Sequence, residues 1–329
     1  MWKVLLPIAI LAIGVSCFKL TTEENNALQG YCGTHMKIPS KYARKITHGT
    51  SAVFNDAPWT ARMLVKRFKH QKGKMYTTGT LISPSHLLTF WHAFRRYGLD
   101  GDNKMYYSNA TDLWKYCEGT DFVMDSEFTS HASVDFEIAG VTYKHRVKKI
   151  TILEKCKTDS NGQKMLNANR PILFELAEPL KNDNIKPICL NYDQRVWYDS
   201  MSTFKFFGYG DSRSVTQGSK FMSAKIQATQ CQSPENEVVC GKTDGKQLLN
   251  RGDHGGSVIS QFGAQLTLVG LYIDKRFERV SAQNGTIYKF AHIAKYYSKI
   301  CKLTGVCRKR YVPSTDDDLE NLEDVFKLE

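Results

Sequence analysis

The spacing of short apolar runs is the feature of this 329-residue chain that most limits its fold. From Ile46 onward, apolar runs alternate with glycine, asparagine and aspartate, as in WTARMLVKRF, GTLISPSHLLTF, FKFFGYG, GSVISQF and LTLVGLYI. Runs of about four to eight residues between turn residues are typical of a β-sandwich or β-barrel. Helical periodicity is convincing only near the end, where the face of a helix would consist of Phe290, Ile293, Tyr297 and Ile300. The pattern predicts an all-β protein with a C-terminal helix.

The N-terminus, MWKVLLPIAILAIGVSC, has one lysine followed by an apolar run. That run is too short to span a bilayer core of about 30 Å. It predicts a secretory signal peptide cleaved near Cys17 or Phe18, with a signal anchor or a lipoprotein as alternatives. No later segment is apolar for long enough to cross a membrane, so we expect a secreted, extracellular protein.

Eight cysteines remain after Cys17, an even number. In an oxidising compartment such a set predicts a disulfide framework, although the sequence alone leaves the pairing open. Two glycosylation sequons, NAT at Asn109 and NGT at Asn284, agree with export. These features together predict a disulfide-bonded glycoprotein.

The net charge of +12 is unevenly distributed. The segment Thr315 to Glu329 has seven acidic residues and one lysine, a net −6, which leaves +18 for the rest of the chain. A secreted basic body favours acidic glycans, cell surfaces or acidic proteins as partners, with an ordinary solvated surface as the alternative. The predicted secretion and the lack of a binding motif disfavour nucleic acid. One hypothesis is that the acidic tail folds back on the basic body.

Seven blocks of the sequence follow one another in a familiar order. They are ITHGTSAVFNDAPWTARM (46–63), TTGTLISPSHLLTFWHAF (77–94), RPILFELAEPLKNDNIKPICL (170–190), FGYG (207–210), GDHGGS (252–257), VGLYI (269–273) and NGTIYKF (284–290). In this order they resemble the chymotrypsin-like serine proteases, and the style of the chain resembles a divergent nematode branch of that family. The resemblance implies two six-stranded antiparallel β-barrels followed by a C-terminal α-helix.

The same resemblance divides the chain into segments. They are a signal peptide (1–17), a propeptide-like segment (18–45), a protease domain (46–310) with a long insertion at about 95–165, and an acidic tail (311–329). As in a zymogen, cleavage after Lys45 would expose the ammonium of Ile46, which would pair with buried Asp253. Gly252 matches the residue whose N–H helps to form the oxyanion hole.

Two of the three catalytic-triad positions depart from the family pattern. The resemblance aligns His92 with the triad histidine, Arg170 with the aspartate and His254 with the serine. An imidazole cannot form the usual ester intermediate in place of the hydroxyl, and a cation beside His92 would disfavour its imidazolium. Loss of one triad member costs about 10⁴-fold or more in rate. The interpretation is a pseudoprotease without a cofactor that acts by binding.

Several alternatives stay open. One is an active endopeptidase with rearranged residues, for example with Ser257 as a relocated nucleophile. Another is a zinc site formed by His92, His254 and a further ligand. A third is integrin-type adhesion through the tripeptide Arg251 to Asp253. As partners of a pseudoprotease we expect a protease inhibitor or substrate, another protein of an extracellular protease cascade, or acidic glycans.

The cysteines support the resemblance, whereas the specificity pocket departs from the family pattern. Two bridges common in the family are lost as whole pairs, at Thr77 with Ala93 and at Phe204 with Ser260. The resemblance implies that the eight cysteines pair as Cys32–Cys189, Cys117–Cys156, Cys231–Cys240 and Cys301–Cys307. The base of the specificity pocket aligns with Leu248 instead of an acidic residue. The wall that normally docks substrate aligns with Asp274 and Lys275.

Overall fold

A computed structural model provides the coordinates of the chain. It describes residues 19–34, 50–52, 56–66, 74–90, 114–124, 129–130, 132–138, 141–162, 164–167, 170–197, 202–211, 219–231, 237–243, 249, 252–275 and 286–308. Its helices are α1 (Thr22–Tyr31) and α2 (Ile293–Thr304), with a 3₁₀ turn at Gln194–Trp197.

The strands follow one another along the chain between these helices. The first eleven are β1 (Thr50–Ser51), β2 (Thr60–Lys66), β3 (Lys74–Ser83), β4 (His86–Phe90), β5 (Cys117–Glu118), β6 (Asp121–Met124), β7 (Ala132–Ile138), β8 (Val141–Ile152), β9 (Cys156–Thr158), β10 (Lys164–Leu166) and β11 (Pro171–Leu176). The others are β12 (Cys189–Leu190), β13 (Thr203–Asp211), β14 (Ser219–Thr229), β15 (Val238–Lys242), β16 (Ser257–Phe262), β17 (Gln265–Lys275) and β18 (Ile287–His292).

The first barrel closes through six antiparallel strands in the order β11-β4-β3-β2-β7-β8, with β8 pairing back onto β11. Strands β6 and β5 extend this sheet from β8. The barrel strands β7 and β8 also lie in the segment 95–165, so much of that predicted insertion forms part of the first barrel. Its interior is filled by fully buried apolar side chains such as Val134, Ile150 and Phe174.

The second barrel closes in the order β14-β13-β16-β17-β18-β15, with β15 pairing back onto β14. The alternation of side chains along β13 shows how the sequence specifies its core. Phe204 and Phe206 point inward and are buried, whereas Thr203 and Lys205 point outward and are exposed. The predicted fold of two six-stranded antiparallel barrels and a C-terminal helix is therefore confirmed.

Helix α2 packs on the second barrel but begins later than the sequence pattern indicates. Ile293, Tyr297 and Ile300 lie on its buried face. The prediction that Phe290 belongs to this face is wrong, because β18 continues to His292 and Phe290 lies in the core of the second barrel. The helix ends at Gly305, whose φ of 73° is the left-handed conformation that favours glycine.

The N-terminal segment is an ordered part of the molecule, which the sequence pattern did not predict. Helix α1 begins with a capping box formed by Thr21 and Glu24. Buried Asn25 donates from Nδ2 to the carbonyl of Cys307 and accepts from its N–H, both at 2.9 Å. These bonds attach the segment 19–34 to the chain just beyond α2.

The structure contains the disulfides Cys32–Cys189, Cys117–Cys156, Cys231–Cys240 and Cys301–Cys307. These are the pairs that the family resemblance implies. Within the described ranges, no helix is both long enough and apolar enough to cross a membrane.

The paired hydrogen bonds of Asn25 make a first prediction. Replacement Asn25→Ala leaves the N–H and carbonyl of Cys307 without these partners, so we expect the free energy of unfolding to fall by about 2–4 kcal/mol. Urea denaturation of the disulfide-intact protein measures it. The exposed residue Asn161 provides a matched control, since Asn161→Ala should change the value by less than about 0.5 kcal/mol. Equal effects of the two variants would contradict the assigned role of Asn25.

Two buried histidines make a second prediction, on acid stability. Burial lowers the pKa of His86 to about 4, with Glu175 opposing. Burial, and then Lys295, lower the pKa of His292 to about 4, with Asp193 opposing. Between these values and the unfolded pKa of about 6.5, the unfolded chain binds more protons than the folded chain. We therefore expect stability to be lost as the pH falls through this window, by up to about 1.4 kcal/mol per pH unit for each histidine.

The predicted loss of stability at acid pH is checked by measuring the free energy of unfolding by urea denaturation from pH 7 to pH 4.5. The double variant His86→Gln with His292→Gln should show a flatter dependence on pH than the wild type. An unchanged slope in that variant would show that other groups cause the acid lability.

Candidate functional site

The turn from Gly252 to Ser257 lies between the two barrels and is held by threonines of β3. The carbonyl of His254 accepts hydrogen bonds from the N–H of Thr78 (3.0 Å) and the hydroxyl of Thr77 (2.6 Å). The hydroxyl of Thr78 donates to the carbonyl of Gly252 (3.0 Å). The turn closes on itself through the N–H of Gly256 and the carbonyl of Asp253 (2.8 Å).

Two glycines of this turn are required by its geometry. Gly252 and Gly255 have φ values of 95° and 78°, which other residues rarely adopt. A Cβ on Gly255 would lie 2.2 Å from the Thr89 hydroxyl oxygen and 2.4 Å from the Thr78 carbonyl oxygen. The backbone of the turn therefore depends on both glycines.

The side chain of His254 packs against aromatic rings. Its imidazole is buried and stacks on Tyr272, with ring centroids 5.1 Å apart and planes inclined by 22°. Tyr272 is itself almost fully buried, and its ring also contacts Tyr288, Phe206 and Phe290. His254, which the family resemblance aligns with the catalytic serine, is thus part of an aromatic cluster beside the turn.

Tyr288 is the second tyrosine of this cluster and contacts Tyr272 edge to face. Its phenol accepts a hydrogen bond from the N–H of buried Leu249 (3.1 Å). Burial raises the pKa of Tyr288, with hydrogen bonds from its surroundings opposing the increase. Tyr272 and Tyr288 were not identified as site residues from the sequence, because their aromatic character is ordinary for a barrel core.

Ser257 does not have the environment of a relocated nucleophile. It is fully buried, and its hydroxyl accepts a hydrogen bond from the indole Nε1 of Trp59 in the first barrel (3.2 Å). A catalytic hydroxyl must instead reach substrate and donate its proton to a base. The Trp59–Ser257 contact links the two barrels.

Asp253 is buried against the strand that carries Gly208 and Gly210. A Cβ added to Gly208 or Gly210 would lie 2.8 or 2.6 Å from its carboxylate oxygens, so both glycines allow this close approach. The burial of Asp253 disfavours its use as an adhesion residue. Its pairing with Ile46 stays a prediction, since Lys45 and Ile46 lie outside the described residues.

Arg170 joins the two barrels and α2 through its guanidinium. Its Nη1 donates to Glu237 at the start of β15 and to the phenol of Tyr296 in α2 (3.0 Å), and lies 3.7 Å from Glu154. Burial alone would lower the pKa of Arg170, but Tyr296 and Glu237 more than offset this and the pKa is raised. The guanidinium of Arg170, which the resemblance aligns with the catalytic aspartate, therefore has two carboxylates within ion-pair distance.

The neighbouring contacts of α2 come from the long insertion. Lys299 of α2 pairs with Asp121 (3.0 Å) and donates to the hydroxyl of Thr120 (3.0 Å). Asp121 also accepts a hydrogen bond from the N–H of Glu154 (2.9 Å). Glu154, Glu237 and Tyr296 were not identified from the sequence, because 16, 67 and 126 residues respectively separate them from Arg170.

Several predicted site residues cannot be located relative to this turn. His92, Leu248, Asn109 and Asn284 lie outside the described residues. Asp274 and Lys275 belong to β17, but their side chains are not described. Within the ranges that the structure covers, no group of three or more His, Cys, Asp or Glu side chains could hold a metal ion.

Comparison with known proteins places this turn in its family. A model of the nematode trypsin-6-like family matches residues 2–307. The chain belongs to this family. It is 21% identical over 178 residues to a venom serine protease of Polistes dominula, a match that covers 54% of this chain and 53% of that relative. The chain thus spans about half the length of this relative.

Among solved structures, HL collagenase at 1.7 Å resolution has a similar fold, with a TM-score of 0.52 and 15% sequence identity. The similarity covers 80% of this chain and 100% of the other. At this identity the likeness shows the fold alone, and it agrees with the two closed barrels described above.

The Arg170 contacts make a third prediction. Replacement Arg170→Met keeps an apolar stem but leaves Glu154 and Glu237 without their cation, so we expect the free energy of unfolding to fall by about 1–3 kcal/mol. Arg195→Met is a matched control, because Arg195 is 82% exposed and pairs with Asp193 at the surface. Its effect should stay below about 0.5 kcal/mol in the same urea denaturation. Equal losses of stability in the two variants would show that the Arg170 contacts do not hold the two barrels together.

Proposed function

We propose that the protein is a secreted, catalytically inactive member of its family that acts by binding other macromolecules. The observation that carries the proposal is the use of both substituted triad positions in packing. His254 is stacked on Tyr272, and Arg170 is bound to Glu237 and Tyr296. Neither side chain supplies the nucleophile or the orienting carboxylate that the serine protease reaction needs.

The position of His254 also disfavours the approach of a peptide. A scissile carbonyl must come within about 3–3.5 Å of an attacking atom. Here the buried imidazole and the buried Tyr272 ring occupy the space next to the turn. An active endopeptidase would need a different nucleophile. Ser257 is fully buried, and its hydroxyl accepts a hydrogen bond from Trp59.

Sequence and structure support the extracellular part of the proposal in different ways. The N-terminal residues 1–17 have the charge and apolar pattern of a signal peptide. Four disulfides are typical of proteins that fold in an oxidising compartment. We further propose that cleavage after Lys45 is retained as a switch of conformation, with Ile46 pairing with Asp253.

A fourth prediction tests catalysis directly. The purified protein, cut after Lys45, is exposed to a fluorophosphonate probe and a broad peptide library beside an active trypsin. We expect neither labelling nor turnover. The variant His254→Ser with Arg170→Asp should also stay inactive, because Tyr272 still occupies the space beside the turn. Turnover by the wild-type protein that is lost in His92→Ala would overturn the proposal.

The binding role has a separate test. The cut protein is titrated into an assay in which a macromolecular inhibitor blocks an active trypsin. A homologue that sequesters inhibitors restores trypsin activity in a dose-dependent manner. Inhibition that stays constant at all concentrations would exclude inhibitor sequestration as the function.

A further inference from the structure

The first half of β8 is a strand with one free edge. Its residues 141–146 pair with β7 on one side. On the other side, β8 pairs with β11 only from Val147 onward. Among the residues that the structure describes, no strand pairs with 141–146 on the side of β11. We call residues 141–146 the β8 edge.

The register of β8 shows which backbone groups point to the free side. In an antiparallel pair, residues whose N–H and C=O bind the partner strand alternate with residues whose groups point away from it. The carbonyl of Arg146 accepts a hydrogen bond from the N–H of Ala177, just beyond β11, at 2.9 Å, so it points away from β7. By the same alternation, the N–H and C=O of Thr142 and Lys144 also point to the free side. The β8 edge therefore presents donors and acceptors in the pattern of a sheet that another strand could extend.

The side chains of the β8 edge differ in chemistry between the two faces of the strand. Successive side chains of a strand point to opposite faces. One face carries Thr142, Lys144 and Arg146, and all three are exposed. The other face carries Val141 and Tyr143, which are 54% and 40% exposed. A strand added to this edge would therefore have cations beside one of its faces and apolar groups beside the other.

The carboxylates close to these cations leave them available to an added strand. Asp135 and Glu137 belong to β7, on the far side of β8 from the free edge, and Arg62 lies 3.9 and 3.7 Å from them. Glu178 lies 4.0 Å from Arg146, but both side chains are at least 80% exposed, so this ion pair contributes little. The direct cross-strand neighbours of an added strand are thus the two cations of the β8 edge, which favour acidic side chains opposite them.

A second copy of the chain is a poorer occupant of this edge. Two β8 edges that paired with each other would bring Lys144 and Arg146 of one copy beside the same residues of the other. Like charges directly opposite each other destabilise a strand pair. Lysine on a strand edge is also a common protection against self-association. The β8 edge therefore favours a strand that carries negative charge.

We propose that the β8 edge binds an extended peptide segment of another protein by strand addition, and that this segment alternates carboxylate and apolar side chains. In such binding, main-chain hydrogen bonds provide affinity and alternate side chains provide specificity. At about 3.3 Å per residue, the edge has room for about five residues of the segment. The proposal names a surface for the binding role proposed above and rests on that role. Failure of peptide binding would remove this surface and leave the test of catalysis unaffected.

Hydrogen exchange of backbone amides tests the free edge without any variant. In the full chain alone, the amides of Thr142 and Lys144 should be protected at least about tenfold less than the amide of Tyr143, which points toward β7. Mass spectrometry with gas-phase fragmentation resolves these residues. Equal, strong protection of all three amides would show that another part of the chain or a second copy already covers the edge, and the proposal would be wrong.

Peptides of defined pattern test the chemistry of the partner. The probe is the peptide Asp-Val-Asp-Val-Asp-Val-Asp, capped at both ends and labelled with a fluorophore, and its binding to the full chain is measured by anisotropy at low salt. We expect it to bind at least about tenfold more tightly than Asp-Asp-Val-Val-Val-Asp-Asp, which has the same composition without alternation. Its binding should also protect the amides of Thr142 and Lys144. Equal affinity for the two peptides, or no binding of either, would contradict the proposal.

Two sets of variants separate the strand edge from its charges. Thr142→Pro removes an N–H that points to the free side and should weaken binding about tenfold, whereas Thr142→Val keeps this N–H and should bind like the wild type. Lys144→Glu with Arg146→Glu should abolish binding, because like charges would then oppose each other. Lys157→Glu with Lys181→Glu, at two exposed lysines outside the edge, is the matched control and should have a much smaller effect.

The two sets also distinguish strand addition from simple attraction of charge. Binding that is lost in the Lys144→Glu, Arg146→Glu variant but unchanged in Thr142→Pro would show that the surface attracts the peptide without hydrogen bonds to the strand. That result would overturn the proposal.

Discussion

The hydrogen bonds of Thr78 are the constraint on which the arrangement of the two barrels depends. Its N–H and hydroxyl bind the carbonyls of His254 and Gly252, its hydroxyl accepts from the N–H of Tyr209, and its carbonyl accepts from Thr89. One residue of the first barrel thus fixes a turn and a strand of the second. On the side of the turn, these bonds use only backbone carbonyls, so they do not depend on the side chain at position 254. The shape of the turn therefore does not depend on which side chain stands at position 254.

The two positions that the family resemblance aligns with the catalytic serine and aspartate both hold packed side chains. A polar side chain in such a cleft must find a partner or pack against an apolar surface, since leaving it buried without one is costly. His254 has the ring of Tyr272, and Arg170 has the carboxylates of Glu154 and Glu237 with the phenol of Tyr296. Active sites commonly retain strain or exposed polar groups for chemistry. At both positions the side chain makes contacts inside the molecule, although Nε of Arg170 is buried without a hydrogen-bond partner.

The spacing of short apolar runs predicted an all-β chain, and the family resemblance implied the two barrels. In β13, buried Phe204 and Phe206 alternate with exposed Thr203 and Lys205, as expected for a strand with one face toward a core. The C-terminal helix was predicted with one error at Phe290, since β18 passes directly into α2 without turn residues. Helix α1 was missed because it is short and largely polar, and it depends on its capping box and on distant partners. The contacts of Arg170 could not be predicted either, as they join residues that only the closed fold brings together.

The elements outside the common family blocks converge on α2 and the chain that follows it. The N-terminal segment reaches it through Asn25 and Cys307, and the insertion reaches it through Asp121 and Lys299. Arg170 adds a third connection through Tyr296. None of these contacts uses the turn at His254. These three connections therefore do not depend on the side chain at position 254, whereas the contact between the barrels at the turn depends on its backbone.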